Sequence, residues 1–205
     1  MPSLHVSFTF VLDLSGPQGP ATLAAFRPAI APLVESRVNP DGRLAVVALH
    51  GRSADVAVPP TGSAERARRQ LAGLPFGGSP SLAPGLRTAL QVAAQEATRL
   101  EAPIPLLVLV SDAEALEIDA KALVPAARVA ALGIPALVLD TAPRGPRARR
   151  ASALRRVADA MRAPLLRPGG ISTELLASTA LNAAAIAARD DRWSPPRKAA
   201  ARKPR

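Results

Sequence analysis

Five runs, HVSFTFVLDL, RLAVVALHG, SADVAVPP, IPLLVLVSD and IPALVLDT, are short, rich in Val and Leu, and stopped by Gly, Pro, Asp or Ser. Such runs predict strands. Helical patterns lie between most of them, over Ala21–Arg37, Ala64–Leu74, Leu82–Leu100, Ala120–Leu132 and Ala148–Met161, with a last one over Ser172–Arg189. Alternating strands and helices require parallel pairing with helices on both faces, so the expected class is α/β, Rossmann-like. One connection breaks the pattern: HGRS, His50 to Ser53, leaves room only for a tight turn, which predicts an antiparallel hairpin and an edge strand near Ala54–Val58.

Aromatic residues make up only 2% of the chain, so Leu, Val, Ile and Ala must build the core. The absence of Cys excludes disulfides and thiolate chemistry and fits a reducing compartment. MPSLHVSF has no basic segment of the kind that opens a signal peptide, and no apolar run is long enough to span a bilayer. A cytoplasmic location is expected. The net charge of +10 is clustered: Arg144 to Arg167 holds eight arginines against Asp159 alone, and Arg192 to Arg205 has six basic residues and no acidic one. Residues 1–190 are expected to form one domain, and residues 191–205 a disordered, basic, Pro-rich tail with Trp193 as its one candidate anchor.

The stretch FVLDLSGP, Phe10 to Pro17, runs an apolar strand into a carboxylate and a hydroxyl. In open α/β sheets, ligands bind beyond the carboxyl ends of the strands. Asp13 and Ser15 follow strand one, Ser111, Asp112 and Ala113 follow strand four, and FGGSPSLAPGL, Phe76 to Leu86, supplies a third polar loop. Two carboxylates with several hydroxyls, and no His or Cys, suit a hard oxygen-preferring ion such as Mg²⁺ and not zinc.

These loops, in this order, resemble those of the von Willebrand factor A domain, whose metal-ion-dependent adhesion site combines Asp-x-Ser-x-Ser, a Thr and a second Asp. The resemblance is closer to the carboxyl-terminal domain found in the D-type subunit of magnesium chelatase. It rests on RLAVVALHGRSADVAVPPTGSAERARRQLAGLPFGGSPSLAPGLRTAL, on LLVLVSDAEAL and GIPALVLDT, and on RRVADAMRAPLLRPGGIS, and it covers about Val6 to Ala188. It implies a von Willebrand A fold with a mainly parallel central sheet, one antiparallel edge strand and helices on both faces.

The departures fall at the metal. Asp13 and Ser15 match the first two ligands, Pro17 stands where the second Ser should be, Pro80 stands in place of the Thr between Ser79 and Ser81, and Ala113 replaces the glycine after Asp112. Proline offers neither a hydroxyl nor an N–H. The resemblance therefore implies a degenerate site of Asp13, Ser15, Asp112 and Ser79 or Ser81, with no cofactor or a weakly bound Mg²⁺. Asp13 and Asp112 would repel one another unless each accepts hydrogen bonds from backbone N–H groups or Ser15, which would also stabilise their charged forms.

No catalytic residues are expected. His5 and His50 read as structural, no serine is placed beside either by spacing, and GGSPS lacks the Lys-Ser/Thr ending of a phosphate loop. The leading expectation is a non-enzymatic adaptor for a partner AAA+ ATPase of chelatase type, with other chelatase subunits as further candidate partners. Two alternatives stand beside it: nucleic-acid binding through the Arg-rich helix and basic tail, short of aromatic stacking partners, and metal-dependent ligand binding.

Overall fold

The computed structural model describes residues 5–35, 39–99, 103–114, 118, 120–142, 148–168 and 172–189, with the backbone alone at 148–152 and 188–189. The expected tail, 191–205, lies outside these residues, as do Arg144 and Arg147 of the basic cluster.

The elements run β1 (Val6–Asp13), α1 (Gly19–Val34), β2 (Arg43–His50), β3 (Ser53–Thr61), α2 (Ala64–Gln70), α3 (Leu82–Ala97), β4 (Ile104–Ser111), α4 (Ala120–Ala131), β5 (Ala136–Asp140), α5 (Ala148–Met161), β6 (Leu165–Leu166) and α6 (Thr173–Arg189). The sheet has six strands in the order β3-β2-β1-β4-β5-β6. The β2–β3 pair at the HGRS turn is antiparallel, and the other pairings are parallel. The mainly parallel sheet with one antiparallel edge strand is thus present as expected. β3 carries Pro59 and Pro60, and its register against β2 shifts near Val46.

Every residue of β1 is buried, because the strand lies mid-sheet and is covered on both faces. Alternation along the strands sends side chains to two separate cores. Phe8, Phe10, Leu12, Val108 and Val110 meet Phe26 and Ile30 of α1 and Leu176 and Ala180 of α6, while Val11, Val47, Leu107 and Leu109 meet Leu86 of α3, Val129 of α4 and Val157 of α5. Phe10 and Phe26 pack edge to face, with ring centroids 4.8 Å apart. Phe8, Phe10 and Phe26 therefore cluster between α1 and the sheet, while alanines fill the tight helix contacts, among them Ala29, Ala89, Ala93, Ala126 and Ala180.

Helix boundaries differ from the sequence reading at the ends. α1 starts at Gly19, where Pro20 suits the first turn, and ends at Val34. α2 stops at Gln70, ahead of the expected Leu74, and Gly73 then takes a left-handed φ of 77°. α3 stops at Ala97, where the Thr98 hydroxyl donates to the Gln95 carbonyl at 2.8 Å. At α2 the apolar Leu71, Ala72 and Leu74 carry the hydrophobic period past the point where the backbone turns.

Candidate metal site at the carboxyl ends of the strands

β1 and β4 are neighbours in parallel register, with Leu12 opposite Val110, so the residues that follow them reach the same edge at the same level. Asp13 is buried there. Its Oδ1 accepts from the Ser15 N–H at 3.0 Å and also from the Ser15 hydroxyl, and its Oδ2 accepts from the Ser111 hydroxyl at 2.5 Å. Ser111 is itself fixed, because its Oγ accepts from the Ala113 N–H at 2.8 Å.

Asp112 does different work. Its Oδ2 accepts from the Gln18 N–H at 3.1 Å and its Oδ1 from the Glu114 N–H at 2.9 Å. Gln18 is the residue preceding α1, and its own side chain makes no capping bond. Asp112 thus caps α1 from the end of the neighbouring strand, placing a carboxylate where the helix dipole and free N–H groups favour one. The sequence Pro17-Gln18-Gly19-Pro20 supplies no good cap of its own, which explains why a borrowed one is used.

The expected hydrogen bonding of both carboxylates is present, and at Asp13 it favours the charged form as expected, but burial, which the sequence does not display, opposes it more strongly. Burial pushes the Asp13 carboxyl above its usual 3.8, outweighing the hydrogen bonds from Ser111 and Ser15 that lower it, and the charge of Asp112 adds to the rise. Desolvation of the charged form wins over the hydroxyls.

The third loop is fastened to the same edge by its backbone. The Gly77 N–H donates to the Leu14 carbonyl at 2.9 Å, the Gly51 N–H to the Gly77 carbonyl at 2.7 Å, and the Ser79 N–H to the Gly51 carbonyl at 2.8 Å. Ser79 is exposed and Pro80 buried, while Ser81 precedes α3 in extended conformation without a side-chain cap. The hydroxyls that meet Asp13 come from Ser15 and Ser111. Asp13, Ser15 and Asp112 are therefore brought together, and the loop bearing Ser79 and Ser81 shares their edge.

Sequence reasoning did not carry Ser111 into the site, although it stands beside Asp112. It also passed over the neighbouring end of β5, where Asp140 lies opposite Ser111 and pairs with Arg167 at 3.0 Å. Beside it the Thr141 hydroxyl is buried and has no hydrogen-bond partner. The Ser111 contact depends on the β1–β4 register and the Asp140–Arg167 pair on tertiary structure, so neither has a signal in the sequence.

The donors at this edge are carboxylate and hydroxyl oxygens, which suit Mg²⁺. Among the described residues no three His, Cys, Asp or Glu side chains group as a metal cluster. The histidines lie elsewhere: His5 meets Asp41 at 3.7 Å and His50 meets Asp55 at 3.5 Å. Ser53 donates to the same Asp55 at 2.6 Å, so the aspartate lies between hydroxyl and imidazole, and His50 is not set as a base for that serine. No helix among the described residues is long and apolar enough to cross a membrane.

No family model matches the chain. It is 36% identical over 145 residues to the magnesium-chelatase 60 kDa subunit of Cereibacter sphaeroides, a match covering 66% of this chain. The chain spans about a quarter of that relative, 26% of its length. Among solved structures, the SpRpn10 VWA domain superposes with a TM-score of 0.64 at 16% identity, covering 85% of this chain and 93% of that one. A von Willebrand factor type A protein from Catenulispora acidiphila gives 0.60 at 20% identity, covering 91% of this chain and 42% of that one. Strand order, the β2–β3 hairpin and these likenesses agree: the chain has the von Willebrand factor A fold and is similar in sequence to part of a magnesium-chelatase subunit.

Proposed function

We propose that this domain is a non-catalytic adaptor in a chelatase-like assembly, docking on a AAA+ ATPase through the carboxyl edge of its sheet. The observation that carries the reading is the 36% identity to a magnesium-chelatase subunit over most of the domain. The site's chemistry is compatible with it. Asp13 is engaged by two serine hydroxyls and Asp112 by two backbone N–H groups, so both carboxylates serve to hold the loops of this edge together. The same edge presents Phe76, 48% exposed, beside exposed Pro17 and Ser79, a small apolar and polar contact surface.

In this reading Asp13, Ser15, Ser111 and Asp112 would hold Mg²⁺ weakly, with waters completing its shell where Pro17 and Pro80 remove hydroxyls. A bound Mg²⁺ would present a Lewis-acidic position to a partner carboxylate. The chain's own residues set the loops: Asp112 fixes the start of α1, and Gly77 and Ser79 fix the third loop.

Co-purification of the tagged chain from its native cell, with nuclease treatment and mass spectrometry, tests the proposal. A chelatase-type AAA+ ATPase should co-elute, and Phe76→Ala should reduce its recovery without lowering the melting temperature. Recovery of nucleic acid alone, lost on nuclease treatment, would favour the basic residues Arg155 and Arg156 of α5 as the working surface and overturn the adaptor reading.

A further inference from the structure

At the opposite edge of the sheet lies a cavity of about 250 Å³, bounded by the starts of β4 and β5 and the ends of α5 and α6. Leu106, Ile134, Met161, Ala183 and Ile186 contribute to its lining, and Arg162 is the only charged residue among the described lining. Ile186 is 69% exposed although it borders this apolar hollow.

We propose that the occupant is this chain's own Trp193. α6 ends at Arg189, and Ala183, Ile186 and Ala187 of its last two turns form one wall. Trp193 follows four residues later, and an extended chain covers at most about 14 Å in that distance, enough to return to the wall it has just left. Of the intervening Asp190, Asp191 and Arg192, the two carboxylates have the sign that Arg162 attracts. Two carboxylates after a helix carboxyl terminus are unfavourable unless a cation meets them, and Arg162 is exposed at the rim of the hollow. A guanidinium at that rim also suits the face of an indole ring. The rest of the segment to Arg205 consists of Ser, Pro, Ala and basic residues, so Trp193 is the one large apolar side chain available to it. Docked there, it straps the last turns of α6 to the sheet, on the side away from Asp13. The inference is independent of the chelatase reading.

Trp193 is the sole tryptophan and the chain has no tyrosine, so intrinsic fluorescence reports this side chain alone. The full chain at low concentration should emit to the blue of N-acetyltryptophanamide, with an acrylamide quenching constant roughly threefold smaller, as partial burial of an indole gives. Ile186→Asp and Arg162→Glu change exposed side chains and should preserve the circular dichroism spectrum while shifting emission red and raising quenching. Emission and quenching equal to those of the free amide in the unaltered chain would overturn the proposal. So would protection that both folded variants retain, which would place the indole elsewhere. Protection that appears only as dimer forms with rising concentration would overturn it in favour of the tail of a second copy.

Discussion

Gly16 lies so close to Asp112 that a Cβ placed on it would come within 2.3 Å of the Asp112 Oδ1. The loop after β1 thus closes directly on the carboxylate that caps α1, and the glycine is required by proximity. Gly16→Ala should destabilise the domain by about 1–3 kcal/mol through overpacking. In an Asp112→Ala background, which itself loses a helix cap at about 1 kcal/mol, the same substitution should cost little. Chemical denaturation of the double-mutant cycle checks this, and additive costs would show that the contact does not limit the loop.

Asp13 makes stability depend on pH. Its folded carboxyl titrates above the unfolded 3.8, so the native state holds a proton more tightly than the unfolded chain does. The associated stabilisation is complete below 3.8 and is lost as pH rises through the raised folded value. At neutral pH in chelator, Asp13→Asn should therefore stabilise the fold, and the advantage should vanish in acid. Urea denaturation across the pH range measures it. A loss of stability at neutral pH would mean that the hydroxyls of Ser15 and Ser111 favour the charge more than burial opposes it.

For the metal, calorimetry on the unaltered chain should detect no Mg²⁺ binding in the micromolar range. Pro17→Ser together with Pro80→Thr should create or strengthen it, provided the loops relax once the fixed φ of proline is removed. Asp13→Ala in that double mutant should abolish the gain. Micromolar binding by the unaltered chain would show that waters or neighbouring serines already complete the shell.

Gly78 has a φ of 95°, and a Cβ on it would lie 2.3 Å from the Gly51 Cα and carbonyl oxygen, both backbone atoms. Gly78→Ala should cost about 2 kcal/mol or more, from strain plus the clash. It should also speed hydrogen exchange at the Gly51 and Ser79 amides that fasten the loop. Gly73→Ala is the control: its φ is 77° but the space around it is open, so about 1 kcal/mol from strain alone is expected. Equal costs at the two sites would remove the clash from the explanation.

The order of elements was legible because strand and helix periods differ and because HGRS is too short for a crossover. The meeting of Asp13 with Asp112 was legible for a related reason: parallel neighbouring strands deliver their carboxyl ends to one edge. What stayed hidden depends on register and burial. The Ser111 hydroxyl reaches Asp13 only because Leu12 lies opposite Val110. The capping of α1 by Asp112 joins residues 94 apart in sequence. The sign of the Asp13 shift follows from how completely the strand end is covered, a quantity that no motif contains.

The two borders of the sheet carry a consequence for crowding. β3 ends with Pro59 and Pro60, which have no N–H to offer, and is irregular against β2; β6 is only two residues long. A further strand arriving at β6 would find almost nothing to zip onto, and one arriving at β3 could pair only short of Pro59. Strand pairing between crowded copies is thereby confined to the short stretch 53–58, and most of the surface they can offer one another is side chains on helices and loops.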